Sequence, residues 1–141
     1  MTPKARAEAC AAAISAATRA EHWLGIELVE IAAGHAVMRM SVASHHANGQ
    51  GVCHGGVIFA LADSAFAYAC NSRNASTLAQ HGTISFVAPA QVGEVLTATA
   101  CERSLAGRNG ICDVRVETAS GAVVAEMRGM SRSVRGQWIE E

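Results

Sequence analysis

Hydrophobic residues run almost unbroken from Val57 to Cys70, interrupted only by Asp63, Ser64 and the Tyr68 hydroxyl. The run draws on Ala, Leu and Phe and holds no proline, which predicts a helix and not a strand. It is apolar nearly all round, so the helix, from about Gly55 to Asn71, should be buried. Asn71, Ser72, Arg73 and Asn74 end it with residues that favour turns and caps.

Before that helix the pattern is mixed. Lys4 to His22 reads as a first helix, with Pro3 suited to its first turn and Glu8 to the positive end of its dipole. Gly25 breaks it. Ile26 to Ile31 and Ala36 to Val42 read as a hairpin about Gly34, since Met38, Met40 and Val42 alternate with polar neighbours. Ser44 to Gly51 is polar and glycine-bearing, hence a loop. After the helix the period changes to two. Thr83 to Val87 reads as a strand stopped by Pro89, and Val95 to Cys101 as the next. Gly107 to Gly110 makes a turn. Ile111 to Thr118 and Ala122 to Ser133 pair about Ser120-Gly121. The acidic tail Glu140-Glu141 is expected to be loose. Helices and antiparallel strands segregate, which is the α+β class, and no repeat or linker divides residues 1–141. One antiparallel sheet wrapped around the hydrophobic helix would bury it in a single domain.

Asp63 is the misfit in this pattern. A carboxylate in the middle of a core helix is costly to bury without a partner, which marks it as a functional candidate. The bland reading is a buried aspartate bonded to a neighbour.

Composition narrows the function. A net charge of −1 gives no global attraction to nucleic acid, and 4% aromatic residues provide few stacking surfaces. No apolar run is long enough to span a membrane. Ala5 to Ala20 is alanine-rich, but Arg6, Glu8 and Arg19 interrupt it, so it reads as a soluble helix and not a signal peptide. Cys10, Cys53, Cys70, Cys101 and Cys112 are odd in number without a disulfide framework, which points to a reducing cytoplasm.

Asn48, Gly51, Cys53-His54-Gly55-Gly56, Leu61-Ala62-Asp63 and the run from Ala65 to Ser72 together resemble the hot-dog fold acyl-CoA thioesterases. The PaaI type, from bacterial phenylacetate degradation, is the best match, and the likeness covers almost the whole chain. HGG alone is a modest signal; with Asn48 upstream, Asp63 in the helix and AFAYACNS after it, the pattern is specific. The resemblance implies hydrolysis of a thioester to CoA and a carboxylic acid, with no cofactor. It also implies a homo-oligomer, commonly a tetramer of two dimers. By position it makes Asp63 the catalytic carboxylate and Gly55 the backbone N–H donor to the thioester carbonyl. Asn48 and His54 would hold the carbonyl end and the water. Related aryl-CoA thioesterases carry a threonine one turn after the carboxylate; Ala67 stands there, so that role is not carried over.

The chemistry agrees. Free N–H groups and the positive dipole end at a helix start suit a developing oxyanion, and glycines let a substrate approach the backbone. For Gly55-Gly56 alone, a simple helix start is the competing reading. Asp63 can serve as general base on water or as a nucleophile forming a mixed anhydride. Gly55 and Asp63 are eight residues apart, about 12 Å along a helix. They cannot easily reach one carbonyl from the same helix. Two such helices antiparallel across a two-fold axis would solve this, with Ala62, Ala65 and Ala69 permitting close approach.

Other constellations carry less. Cys53-His54 are adjacent and seldom orient as a nucleophile–base pair. Ser64 reads as a helix hydroxyl bonded to backbone. His45, His46, Cys53 and His54 lack paired metal-ligand spacing, so no metal is expected. The glycines at 49, 51, 55 and 56 form no nucleotide-phosphate loop. His22, His35 and His81 read as surface or strand residues without a role. Among Arg103, Arg108, Arg132 and Arg135, Arg108 in the Gly107–Gly110 turn is the best candidate for CoA phosphates, against the reading of a solvated turn cation. The leading expectation is an aryl-acetyl-CoA thioesterase acting on ring-hydroxylated phenylacetyl-CoA. Alternatives are a broad medium- or long-chain acyl-CoA thioesterase and a non-catalytic acyl-CoA-binding regulator. A hot-dog dehydratase would need a second acid–base pair of His and Glu that the sequence does not show.

Overall fold

The computed structural model describes residues 1–141. Two N-terminal helices come first, α1 (Pro3–Ala17) and α2 (Ala20–Leu24), then strands β1 (Ile26–Ala32) and β2 (His35–Ser41), a single 3₁₀ turn at Ser44–His46, and the central helix α3 (Gly55–Asn71). Four strands follow: β3 (Thr77–Phe86), β4 (Val95–Ala106), β5 (Asn109–Thr118) and β6 (Val123–Ser133). All pairings are antiparallel, and the six strands lie in the order β1-β2-β4-β5-β6-β3. This is the hot-dog arrangement, with α3 lying along one face of the sheet.

Alternation builds that inner face. Met38 and Met40, then Leu96, Ala98 and Ala100, then Cys112, Val114 and Val116, are all essentially inaccessible to water. They form one apolar core with Leu61, Ala62, Ala65, Phe66 and Ala69 of α3. Small residues let the helix sit close. A side-chain carbon added at Gly129 of β6 would lie 2.3 Å from Cε2 of Phe66, so the ring occupies the space that glycine leaves.

Several expectations are corrected. The first helix is two, because Thr18 is extended (φ −73°, ψ 150°) and ends α1 before His22 is reached. β3 begins six residues earlier than its apolar pattern indicates, and a bulge between Ala79 and His81 disrupts its alternation. β4 runs on past Cys101 to Ala106 through another bulge between Glu102 and Ser104. The tail is tied down. Arg6 Nε donates to Glu141 at 2.8 Å, and Asn74 Oδ1 accepts from the backbone of Trp138 and Ile139 at 2.9 and 3.0 Å. α3 itself is not buried all round: Asp63 is exposed, and its neighbours Gly56, Phe59 and Ala60 border open space. Ala62, Ala65 and Ala69 are instead fully buried within the chain, so they offer nothing to a second helix.

Candidate active site

The chain turns sharply into α3. Asn48 Oδ1 accepts from the N–H groups of Gln50 (2.9 Å) and Val52 (3.3 Å), closing a tight loop. His46 O then accepts from His54 N at 2.8 Å and fixes the start of the helix. His54 is the N-cap: its Nδ1 accepts from Gly56 N at 2.8 Å. An accepting Nδ1 carries no proton, so the neutral ring bears it on Nε2, free to donate. The carbonyl of His54 takes the N–H groups of Val57 and Ile58. Gly55 N–H has no partner in the chain. It is one of the orphan donors of a helix start and adds to the positive end of the dipole.

The Phe86 ring lies over Gly55; a Cβ there would be 3.2 Å from its Cζ. Asn48, Gly55, Ile58 and Phe86 line a cleft of about 310 Å³. Asn48 therefore has a structural task that its position in the motif does not reveal: its oxygen shapes the loop, while its NH₂ makes no bond in the chain.

Asp63 lies two turns further along. It opens into a different cleft, of about 420 Å³, with Gly56, Phe59, Ala60, Ala79, Gly82 and Met127. Its carboxyl is pushed above the usual carboxylate range, first by the protein around it and then by the negative charge of Glu21 on α2. Solvent still touches the side chain, because the enclosure is one-sided, and this screens the effect. No hydrogen bond in the chain holds this carboxylate, unlike Ser64, whose Oγ donates to Ala60 O at 2.7 Å as its helical setting predicts.

The remaining candidates separate from the site. Cys53 is buried, and burial pushes its thiol pKa up, which is the wrong direction for a nucleophilic thiolate. Arg108 is exposed in the β4–β5 turn and lines neither cleft. His81, expected to have no role, also borders the Asp63 cleft, while its Nε2 lies 3.1 Å from Thr83 Oγ1. Phe59 and Phe86, which border the two clefts, are the lining residues that periodicity does not single out. Their apolar character makes them look like ordinary core.

The sequence profile of the thioesterase superfamily matches residues 50–125, which include Gly55, Asp63 and the whole of β3. The chain belongs to the thioesterase superfamily. Within it the chain is of the PaaI type. It is 41% identical to acyl-coenzyme A thioesterase PaaI of Escherichia coli K12, over 80% of this chain and 81% of that protein. The structure of E. coli PaaI, from the phenylacetic acid degradation operon, covers 96% of this chain and 99% of its own, with a TM-score of 0.95 at 36% identity. A single-residue variant of the phenylacetic acid degradation protein PaaI from Thermus thermophilus superposes with a TM-score of 0.78 at 32% identity, over 81% of this chain and 97% of its own. The chain is thus an acyl-CoA thioesterase, an enzyme that cleaves thioesters. No helix is long and apolar enough to cross a membrane.

Proposed function

We propose that this thioesterase hydrolyses aryl-acyl-CoA, with ring-hydroxylated phenylacetyl-CoA the leading substrate, and that a second copy of the chain completes each site. One observation carries the reading: the free N–H of Gly55 and the carboxylate of Asp63 open into separate clefts of one chain. Each cleft is half of what thioester hydrolysis needs. Both border β3, whose outer edge pairs with no strand and whose Phe86 and Leu78 are 51% and 60% exposed. Joining two copies along such an edge satisfies its backbone groups and covers its apolar side chains. It would bring Gly55 of one copy to face Asp63 of the other.

In that site the Gly55 N–H donates to the thioester carbonyl and, as charge builds, to the oxyanion. Asp63 takes a proton from water that attacks the carbonyl, or attacks it directly to form a mixed anhydride. In the first route the C–S bond breaks and the proton on Asp63 passes to the departing CoA thiolate; in the second the C–S bond breaks, water protonates the thiolate, and the hydroxide left cleaves the anhydride to free the acid and Asp63. His54 Nε2–H and the Asn48 NH₂, both free to donate, hold the carbonyl end and the water. Phe59, Ala60 and Met127 beside Asp63 suit an aromatic acyl group. Arg108 remains the candidate for CoA phosphates, reached from outside both clefts. The name of the E. coli relative supports CoA thioesters as the substrate class. We read the whole chain as one such domain, assembled as a dimer and, by the resemblance, a tetramer. Five free cysteines fit a reducing cytoplasm.

The test is a panel of acyl-CoAs assayed for free thiol. Hydroxyphenylacetyl-CoA should exceed palmitoyl-CoA in kcat/KM. Palmitoyl-CoA at the top would move the enzyme to the broad-specificity class. Tight binding of every acyl-CoA with no thiol released would make it a regulator.

A further inference from the structure

The sheet face turned away from α3 carries a second group of reactive side chains. β2 and β4 pair so that His35 stands opposite Cys101. Cys101 Sγ lies 3.5 Å from His35 Nδ1. On the other side of the ring, His35 Nε2 is 3.6 Å from Glu30 Oε1 of β1, beyond hydrogen-bond distance but with the carboxylate facing the ring. The carboxylate favours the imidazole proton on Nε2, which leaves the Nδ1 lone pair facing the thiol. Nucleophile, base and orienting carboxylate thus stand in sequence on three adjacent strands.

Accessibility sets Cys101 apart. Cys10, Cys53, Cys70 and Cys112 are all buried, and Cys101 alone is half-exposed. Cys101 lines a broad concavity of about 750 Å³ that also takes in Arg103, Arg115 and Arg128 with Asp113, Glu117 and Glu126. Asp113, opposite Cys101 in β5, is bound by both Arg103 and Arg128. Arg115 is paired with Glu126 and faces Glu117, so the hollow is balanced in charge, with room for a peptide-sized group.

We propose that Cys101 is a site of mixed-disulfide formation with low-molecular-weight disulfides, with His35 as its general base and the Glu30 carboxylate facing the far side of the ring. The Cys101 S–H proton passes to His35 Nδ1. Cys101 Sγ attacks one sulfur of the incoming disulfide, a new S–S bond forms, and the old one breaks. The departing thiolate takes the proton from His35 and leaves as a thiol. One disulfide is consumed and one is made, so no further oxidant is needed. The inference does not depend on the substrate of the inner face.

Glutathione disulfide is the probe, applied to the folded wild-type protein at neutral pH, with intact mass and peptide mapping over time. One glutathione per chain should appear, on Cys101, at least roughly tenfold faster than on an unstructured cysteine peptide. Cys101→Ser should take up none and keep wild-type thioester hydrolysis. His35→Gln should react roughly tenfold more slowly than wild type, with hydrolysis as the check on folding. Adducts on the buried cysteines, no adduct on Cys101, or a wild-type rate no faster than the peptide would overturn the proposal. So would His35→Gln reacting as fast as wild type.

Discussion

Gly129→Ala tests how α3 is seated on the sheet. The added methyl would lie 2.3 Å from Phe66 Cε2, 2.6 Å from Cδ2 and 3.0 Å from Cζ. Ordinary contacts begin near 3.4 Å, so ring and strand must separate by about 1 Å. Phe66 is 1% exposed and has nowhere to swing. Overpacking of this kind costs about 1–3 kcal/mol, and a ring clamped on all sides belongs at the upper end. For a chain of this size that is roughly 5–10 °C in Tm. Thermal and urea unfolding at fixed protein concentration would measure it, since association also contributes to apparent stability. Phe66→Leu in the same chain removes the ring edge that clashes. The double variant should then lose at least about 1 kcal/mol less than the sum of the two single losses. An unchanged Tm for Gly129→Ala, or strict additivity in the double variant, would refute the packing argument.

Asp63→Asn should lower turnover at least about a hundredfold while the protein stays folded. The sign of its stability effect follows from the raised carboxyl: a group whose folded pKa lies above its unfolded value stabilises below the unfolded value and loses that contribution as pH rises through the folded one. At neutral pH the ionised Asp63 therefore works against folding, and the Asn variant should unfold no earlier than wild type; a clear loss of stability would contradict the setting described. Wild-type kcat/KM should fall as pH drops through that raised value, where the carboxylate takes up its proton. Asn74→Ala removes the buried side chain that holds Trp138 and Ile139, at a residue whose φ of 65° suits Asn better than Ala. It should cost about 2–3 kcal/mol and speed proteolysis of the C-terminal segment; an unfolding midpoint equal to wild type would show the tail is held by other means. Asp63→Asn and Gly55→Pro, each inactive alone, should regain about a quarter of wild-type activity when refolded together, because about half the dimers are mixed and each carries one intact site. Verified mixed dimers without recovery would place both residues on a carbonyl within one chain.

Much of this is legible in the sequence. α3 begins at Gly55 and ends at Asn71, as its composition and flanking caps indicate. β5 and β6 follow their alternation because one face meets the core and the other meets water. β3 reads short for a physical reason: at the sheet edge, residues 78–83 are all exposed and a bulge interrupts the period, so no alternation is written there. The break at Thr18 and the anchoring of Glu141 by Arg6 depend on tertiary contacts that a local pattern does not encode. Asp63 stands out as a misfit in an apolar helix, but the burial that pattern implies is not one this chain alone provides.

That last difference has a consequence for the chemistry. A hydrophobic pattern does not separate burial within a chain from burial between chains. α3 is apolar on its open face as well as on the face that meets the sheet, and the open face is the one that carries Asp63. In one chain the carboxyl is already pushed upward with protein on one side of it. A second copy laid over β3 would remove water from the other side, and desolvation moves a carboxyl pKa in the same direction. The covered carboxylate would hold a proton more strongly and so be the stronger base towards water. Covering also lowers the local dielectric around the Gly55 N–H, which strengthens its interaction with a developing oxyanion. The apolar surface that would make a lone β3 edge prone to aggregation is thus the surface whose covering would make Asp63 and the Gly55 N–H, in the roles proposed for them, more effective.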